Sequence, residues 1–311
     1  MVDLSVVIPV KNEEDNVKEL HSELVDVLSQ ENLSYEIIFI DDGSTDNTVA
    51  GLKSLNNVVI IQLNRNFGQS AAMRAGFDYA NGRYIVSMDG DLQNDPYDIP
   101  KLLNEIKKGS FDVICGWRFK RKDRFFKRIF SRFANRLRRI LTRDIIHDSG
   151  CSLRIYTKEA AKNLELQGEM HRYIPALLNW GGYRVGETKV NHRKRMRGQT
   201  KYGWKRLIKG FLDLIFVSFW YRFSATPLQF FGLVGILLIV FGGAVSSFLI
   251  YGRVFYNEGL SDRPLFTLSL MTVILGVQTF TLGFIAEYLS RIYYQTSLTK
   301  PYVIKQVLEI N

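Results

Sequence analysis

Residues 224–252 contain no Asp, Glu, Lys or Arg, and neither do residues 264–286. Each stretch exceeds the ~20 apolar residues that an α-helix needs to cross the hydrocarbon core of a bilayer. One such run could be the core helix of a soluble protein. Two in a row, joined by 253–263, predict transmembrane helices over 224–252 and 264–290. Arg253, Glu258, Asp262 and Arg263 in the joining loop cancel in charge, whereas the outer flanks are basic. Lys205, Arg206, Lys209 and Arg222 precede the first span, and Arg291, Lys300 and Lys305 follow the second. The positive-inside bias therefore predicts a multi-pass protein of the cell (inner) membrane, with the preceding half and the tail 291–311 in the cytoplasm.

That preceding half, 1–203, reads as a different kind of object. Residues 4–10 (LSVVIPV), 35–40 (YEIIFI), 58–62 (VVIIQ), 83–88 (RYIVSM) and 111–116 (FDVICG) are short β-rich runs. Between the first two, Val17, Leu20, Leu24, Val27 and Leu28 recur at helical spacing. Helices are also expected over 69–80 and 97–108. Strands alternating with helices of this length predict an α/β domain with a mostly parallel sheet, whose ligands sit beyond the carboxyl ends of the strands. The only cysteines, Cys115 and Cys151, do not suggest a disulfide framework, and a reducing compartment is expected.

Net charge is +10, and it is concentrated. From Arg118 to Arg143 twelve Lys/Arg face the single Asp123, so the remainder of the chain is close to neutral. Within this run, 125–141 places Phe126, Ile129, Phe130, Phe133 and Leu137 on one helical face and basic residues on the other. Residues 204–223 are similarly two-sided. Both are expected to lie in the bilayer interface.

The chemistry-bearing residues fall at strand ends. Asp89-Gly90-Asp91 follows the fourth strand, where the i, i+2 spacing can aim two carboxylates the same way, and Gly90 leaves room for a ligand to approach the backbone. Two carboxylates, with Gln93 as a further oxygen donor, suit a hard cation such as Mg²⁺ or Mn²⁺. Asp41-Asp42-Gly43-Ser44 ends the second strand, where a carboxylate can accept hydrogen bonds from a base or ribose. Pro9 to Glu13 closes the first strand in the same manner. A GxxxxGK[ST] loop and a strand-linked GxGxxG are both missing, which argues against an NTPase or a dinucleotide oxidoreductase.

Val7-Ile8-Pro9, Asn12-Glu13-Glu14, Ile40 to Asp46, Arg65-Asn66-Phe67-Gly68 and Met88 to Gln93 together resemble family 2 glycosyltransferases. The polyprenyl-phosphate branch, with dolichyl-phosphate mannose synthase and the bactoprenol glucosyltransferases, is the most similar, and the resemblance extends over nearly the whole chain. It implies a GT-A catalytic domain and a metal-dependent enzyme that moves a sugar from a nucleotide donor, a UDP-sugar or GDP-mannose, onto a membrane polyprenyl or dolichyl phosphate. Carried over by position, it assigns Pro9, Asn12, Glu13, Asp41, Asp42, Gly43, Asn66, Gly68, Asp89 and Gly90 to the nucleotide. Asp89, Asp91 and Gln93 are assigned to the metal. Arg118, Arg132, Arg195, Thr200 and Lys201 are assigned to the acceptor and its phosphate. His147 to Arg154 is similar to the family's acceptor-side Asp-x-Gly-Cys segment, which adds Asp148 to Asp89 and Asp91 as a catalytic candidate. Arg195 to Tyr202 matches its Arg-x-x-Gly-x-Ser/Thr-Lys-Tyr loop.

A phosphate monoester has a second pKa of about 6, so such an acceptor is already an anion at neutral pH. It needs positioning and charge shielding more than deprotonation. Asp148 is therefore either a base or an orienter of a basic residue. Single in-line displacement would invert the anomeric centre. The alternative is a family 2 enzyme using a hydroxyl acceptor on a glycolipid or lipid-linked sugar, which would require a true base. No nucleic-acid partner is expected, and a homo-oligomer through the spans and the tail after Tyr302 is compatible with the sequence.

Overall fold

The computed structural model describes residues 2–119, 146–193, 226–256, 264–296 and 300–310, together with the single residues 219, 223 and 259. The chain divides into two compact units, Met1–Ile215 with Lys300–Asn311, and Phe216–Thr299.

The first unit is built on an eight-stranded sheet. Its strands are β1 (Leu4–Val10), β2 (Tyr35–Asp41), β3 (Val58–Leu63), β4 (Tyr84–Ser87), β5 (Val113–Arg118), β6 (Arg154–Thr157), β7 (Val185–Val190) and β8 (Ile304–Ile310). They lie in the order β7-β5-β6-β4-β1-β2-β3-β8. The β4-β1-β2-β3 run is parallel throughout, and β5 pairs parallel with β7. Side chains alternate across the sheet as strand geometry demands. Leu4, Val6, Ile8, Ile37 and Phe39 enter one core, and Val7, Ile38 and Ile40 enter the other. Both faces are covered by helices, which is why these strands read as continuous apolar runs rather than alternating ones.

Among the described residues, the α-helices of this unit are α1 (Val17–Ser29), α2 (Thr48–Lys53), α3 (Gln69–Tyr79), α4 (Ile99–Lys107), α5 (Lys158–Lys162) and α6 (Ile174–Trp180). In α1 the buried residues are Val17, Leu20, Leu24, Val27 and Leu28, the stripe expected from their spacing.

Two strands run against the rest. β6 lies antiparallel between β4 and β5, with Ser87 opposite Arg154. An antiparallel strand begins at the edge where its parallel neighbours end, so residues 148–154 are brought to the carboxyl ends of β4 and β5. The other is β8, which comes from the tail and pairs antiparallel with β3, from Ile304 opposite Leu63 to Ile310 opposite Val58. Side chains fasten it further: the Tyr302 hydroxyl donates to Asp78 at 2.6 Å, Gln306 bonds Gln62 at 2.7 Å, and the Tyr79 hydroxyl bonds Glu309.

The second unit holds two apolar helices, α7 (Pro227–Tyr256) and α8 (Pro264–Thr296), long and apolar enough to cross a membrane. Small residues let their backbones approach: a Cβ on Gly235 would lie 2.8 Å from the Gly276 carbonyl oxygen. Ser246 and Ser269 bond across the pair at 2.7 Å. The outer surface is apolar and exposed, with Phe248 at 75% of its full area, unlike a buried core helix. The amphipathic stretches 125–141 and 204–223 lie outside the described residues, apart from Phe219 and Phe223.

Candidate active site

The carboxyl ends of β1, β2 and β4 carry the predicted acidic turns, and hydrogen bonds knit those turns together. Asn12, in the left-handed region at φ 57°, donates its N–H to Ser44 Oγ at 3.0 Å and accepts from Thr45 N–H at 2.9 Å. Glu13 N–H donates to Thr48 Oγ1 at 2.8 Å. Asp41 is fully buried: one carboxylate oxygen accepts from Ser44 N–H at 3.1 Å, and the other, Oδ2, has no hydrogen-bond partner among the described residues. A buried, uncompensated carboxylate oxygen is costly, and an N–H or O–H donor from a ligand would relieve it.

Asp42 is engaged differently. Its two oxygens accept from Phe67 N–H at 2.7 Å and Gly68 N–H at 2.9 Å, so this carboxylate clamps the 65–68 loop. Burial nonetheless holds its pKa above the ordinary carboxylate value. Gly43, at φ 68°, packs under the same loop, where a Cβ would sit 2.7 Å from Asn66 N. Asn66 Oδ1 in turn accepts from Gly68 N–H at 3.1 Å.

Asp89 is half-buried at the end of β4. Burial and the neighbouring Asp91 charge raise its pKa, while a hydrogen bond from Ser152 and the positive charges of Arg154 and Arg118 oppose the rise. Its Oδ1 also accepts from Gln69 Nε2 at 2.7 Å, a contact that the sequence motifs did not anticipate. A Cβ added to Gly90 would stand 2.7 Å from Val10 Cγ1, so this glycine lets β1 pack closely against the turn. Asp91 Oδ1 accepts from Gln93 N–H at 3.2 Å across Leu92, which is buried and held at φ 60°. That backbone region is rare for a bulky residue and marks local strain.

The segment before β6 completes the cluster. Arg118 Nε and Nη2 grip the Asp148 oxygens at 2.7 and 2.9 Å, and the side chains are only 13% and 11% exposed. Arg154 is buried, donates to the Ser149 carbonyl at 2.7 Å and leaves Nε unpartnered. His147 is occupied, stacked on Trp117 at 4.6 Å and bonded to Glu187. Cys151 and Cys115 are buried thiols not joined in a disulfide, and burial lifts the Cys151 thiol to about 11, too high for a nucleophile at neutral pH. Arg132, Arg195, Thr200 and Lys201 lie outside the described residues. The chain enters the last three from Arg193, whose N–H donates to the Gln93 carbonyl at 3.0 Å.

The donor set suits a hard cation. Asp89, Asp91 and Gln93 offer oxygens only, and among the described residues no group of three or more His, Cys, Asp or Glu could enclose a metal. A cation here would keep most of its shell for phosphate oxygens and water, as Mg²⁺ and Mn²⁺ do in phosphate-handling sites.

Comparison with known proteins agrees with this architecture. The Glycosyl transferase family 2 profile matches residues 5–165. The chain is 37% identical to a dodecaprenyl-phosphate galacturonate synthase of Rhizobium johnstonii, covering 99% of this chain and 94% of that one. It is 33% identical to an undecaprenyl-phosphate 4-deoxy-4-formamido-L-arabinose transferase of Edwardsiella ictaluri, over 99% and 95% of the two chains. Among solved structures, glucosyl-3-phosphoglycerate synthase from Mycobacterium tuberculosis, crystallised with Mn²⁺, UDP and glucosyl-3-phosphoglycerate, shares the GT-A-like sheet. Its TM-score is 0.53 at 16% identity, over 71% of this chain and 80% of that one. With acidic turns at successive strand ends, a mostly parallel sheet and relatives matched along almost their whole length, the chain belongs to glycosyl transferase family 2.

Proposed function

We propose that the protein transfers a sugar from a nucleotide donor, a UDP-sugar in our reading, to a membrane polyprenyl phosphate, with inversion. The observation that carries this is the meeting of Asp89, Asp91, Arg118, Asp148 and Arg154 at one sheet edge, acidic donors beside buried guanidinium groups. The names of the two full-length relatives, both polyprenyl-phosphate enzymes, support the acceptor.

In this reading Asp41 receives a donor from the base or ribose through its uncompensated Oδ2. Pro9, Asn12 and Glu13 line the same turn. Asp89 and Asp91, with Gln93, would hold Mg²⁺ or Mn²⁺, which when bound offsets charge on the departing nucleoside diphosphate. Arg118 positions the acceptor phosphate, whose oxygen attacks the anomeric carbon as the bond to the diphosphate breaks. Asp148 keeps the Arg118 guanidinium in place. A carboxylate already paired to arginine is a poor base, which favours an anionic phosphate over a hydroxyl acceptor. Arg132, Arg195, Thr200 and Lys201 are proposed for the same phosphate from the resemblance. If α7 and α8 both span the bilayer, the pairing of β8 with β3 requires the chain before and after them to lie on one side. The basic flanks make that side the cytoplasm.

Incubating purified full-length protein with a panel of UDP- and GDP-sugars, polyprenyl phosphate and Mn²⁺, then analysing lipids by mass spectrometry, tests the proposal. A glycosylated prenyl phosphate is expected from one donor. Sugar appearing only on a hydroxyl-bearing glycolipid would refute the acceptor assignment.

A further inference from the structure

The Asp89 carboxylate is aimed by a neutral side chain. Gln69 Nε2 donates to Oδ1 at 2.7 Å. A neutral donor fixes a carboxylate's direction without cancelling its charge. A lysine or arginine in contact would do the first and compete with a cation for the second.

Gln69 is in turn held from the other side of the site. It is the first residue of α3, directly after Gly68 at φ 95°. The Phe67 and Gly68 N–H groups end on the two oxygens of Asp42, and the Arg65 guanidinium lies over the Phe67 ring, 4.8 Å from its centroid. An unbroken line of contacts thus runs from the end of β2, through the 65–68 loop and Gln69, to the end of β4.

We infer that Gln69 is a positioning residue that orients Asp89 for the divalent cation, and that Asp42 sets Gln69 through the loop it clamps. This rests on the reading of Asp89 as a metal-binding carboxylate. Outer groups of this kind typically carry a 10- to 100-fold effect on metal affinity.

The test is Mn²⁺ titration followed by electron paramagnetic resonance, on purified full-length protein with saturating UDP. Gln69→Met keeps the length of the side chain and removes the donor; it is expected to weaken Mn²⁺ binding about ten-fold with the thermal midpoint unchanged. Gln69→Lys restores a donor but brings charge, and it is expected to bind Mn²⁺ more weakly still. A merely structural hydrogen bond predicts the opposite order, with lysine rescuing methionine. Wild-type affinity in Gln69→Met, or rescue by Gln69→Lys, overturns the inference. If the unaltered protein binds no Mn²⁺ with UDP, the metal reading of Asp89 fails first, and that result is distinct from either variant's.

Discussion

Arg118 grips Asp148 with two nitrogens and holds most of its surface away from water. Removing either partner breaks this two-nitrogen grip, so Asp148→Asn and Arg118→Ala should each slow turnover about 10²-fold. The double variant should be little worse than either single one, because the two act as a unit. If Asp148 were instead a base, Asp148→Asn would erase the acidic limb of the pH–rate profile and Arg118→Ala would not. Steady-state rates across pH separate the two roles. Leu92 is the other residue under load, since its left-handed backbone costs ~1–3 kcal/mol and is held by a buried side chain. Leu92→Ala keeps the strain and discards the anchor, so a loss of ~2–5 kcal/mol in stability is expected, together with loss of UDP-dependent Mn²⁺ binding. An unchanged melting midpoint would argue that the turn holds itself. Asp89, Asp91 and Asp41 could be found from their places after apolar runs. Gln69 could not: an uncharged residue 20 positions before its partner carries no periodicity or spacing signal. Its one hint was Gly68 just before a helical pattern. Likewise Asp42 looked identical to Asp41 in sequence, and only backbone geometry separates the clamp from its buried neighbour.

Among the elements, the first five strands and the helices between them were legible because apolar runs and the 3.6-residue period are local signals. β6 and β7 were not, since four-residue Arg154–Thr157 and the polar Val185–Val190 lack a long apolar run. Yet the antiparallel setting of β6 is what carries Asp148, Ser152 and Arg154 to the site, so this unread element explains their convergence. At the outer edge, Asp112 ties β5 to β7: Arg184 donates to it through N–H, Nε and Nη2 at 2.8, 3.0 and 2.9 Å. The hydrogen bonds from the Arg184 side chain hold the Asp112 pKa below its ordinary value. A carboxyl depressed in the folded state stabilises fully above its unfolded pKa, and that contribution disappears as pH falls through the folded one. Asp112→Asn should therefore melt below the unaltered protein at neutral pH. The gap should close below about pH 4, and a gap independent of pH would disprove the linkage.

For the molecule as a whole, the tail is the surprise. Sequence placed 291–311 beyond the membrane as a tail, because Ile304–Ile310 alternates weakly and follows the last apolar run. Its partner strand lies more than two hundred residues earlier in the chain, a separation no local pattern can reveal. Deleting 300–311 would bare the hydrogen-bonding edge of β3 and take away Tyr302, which is buried against Asp78. The truncated protein is expected to melt lower and to self-associate through the uncovered edge, visible by differential scanning fluorimetry and size-exclusion chromatography. Retention of the full-length midpoint and elution volume would show the strand to be dispensable.

The late arrival of β8 also orders the protein's birth. A ribosome delivers β1 to β7 first and both apolar helices next, so the sheet's eighth strand leaves the exit tunnel only after the hydrophobic hairpin has done so. Chains stalled or misrouted at that step would remain one strand short, with an open edge for chaperones and proteases to recognise.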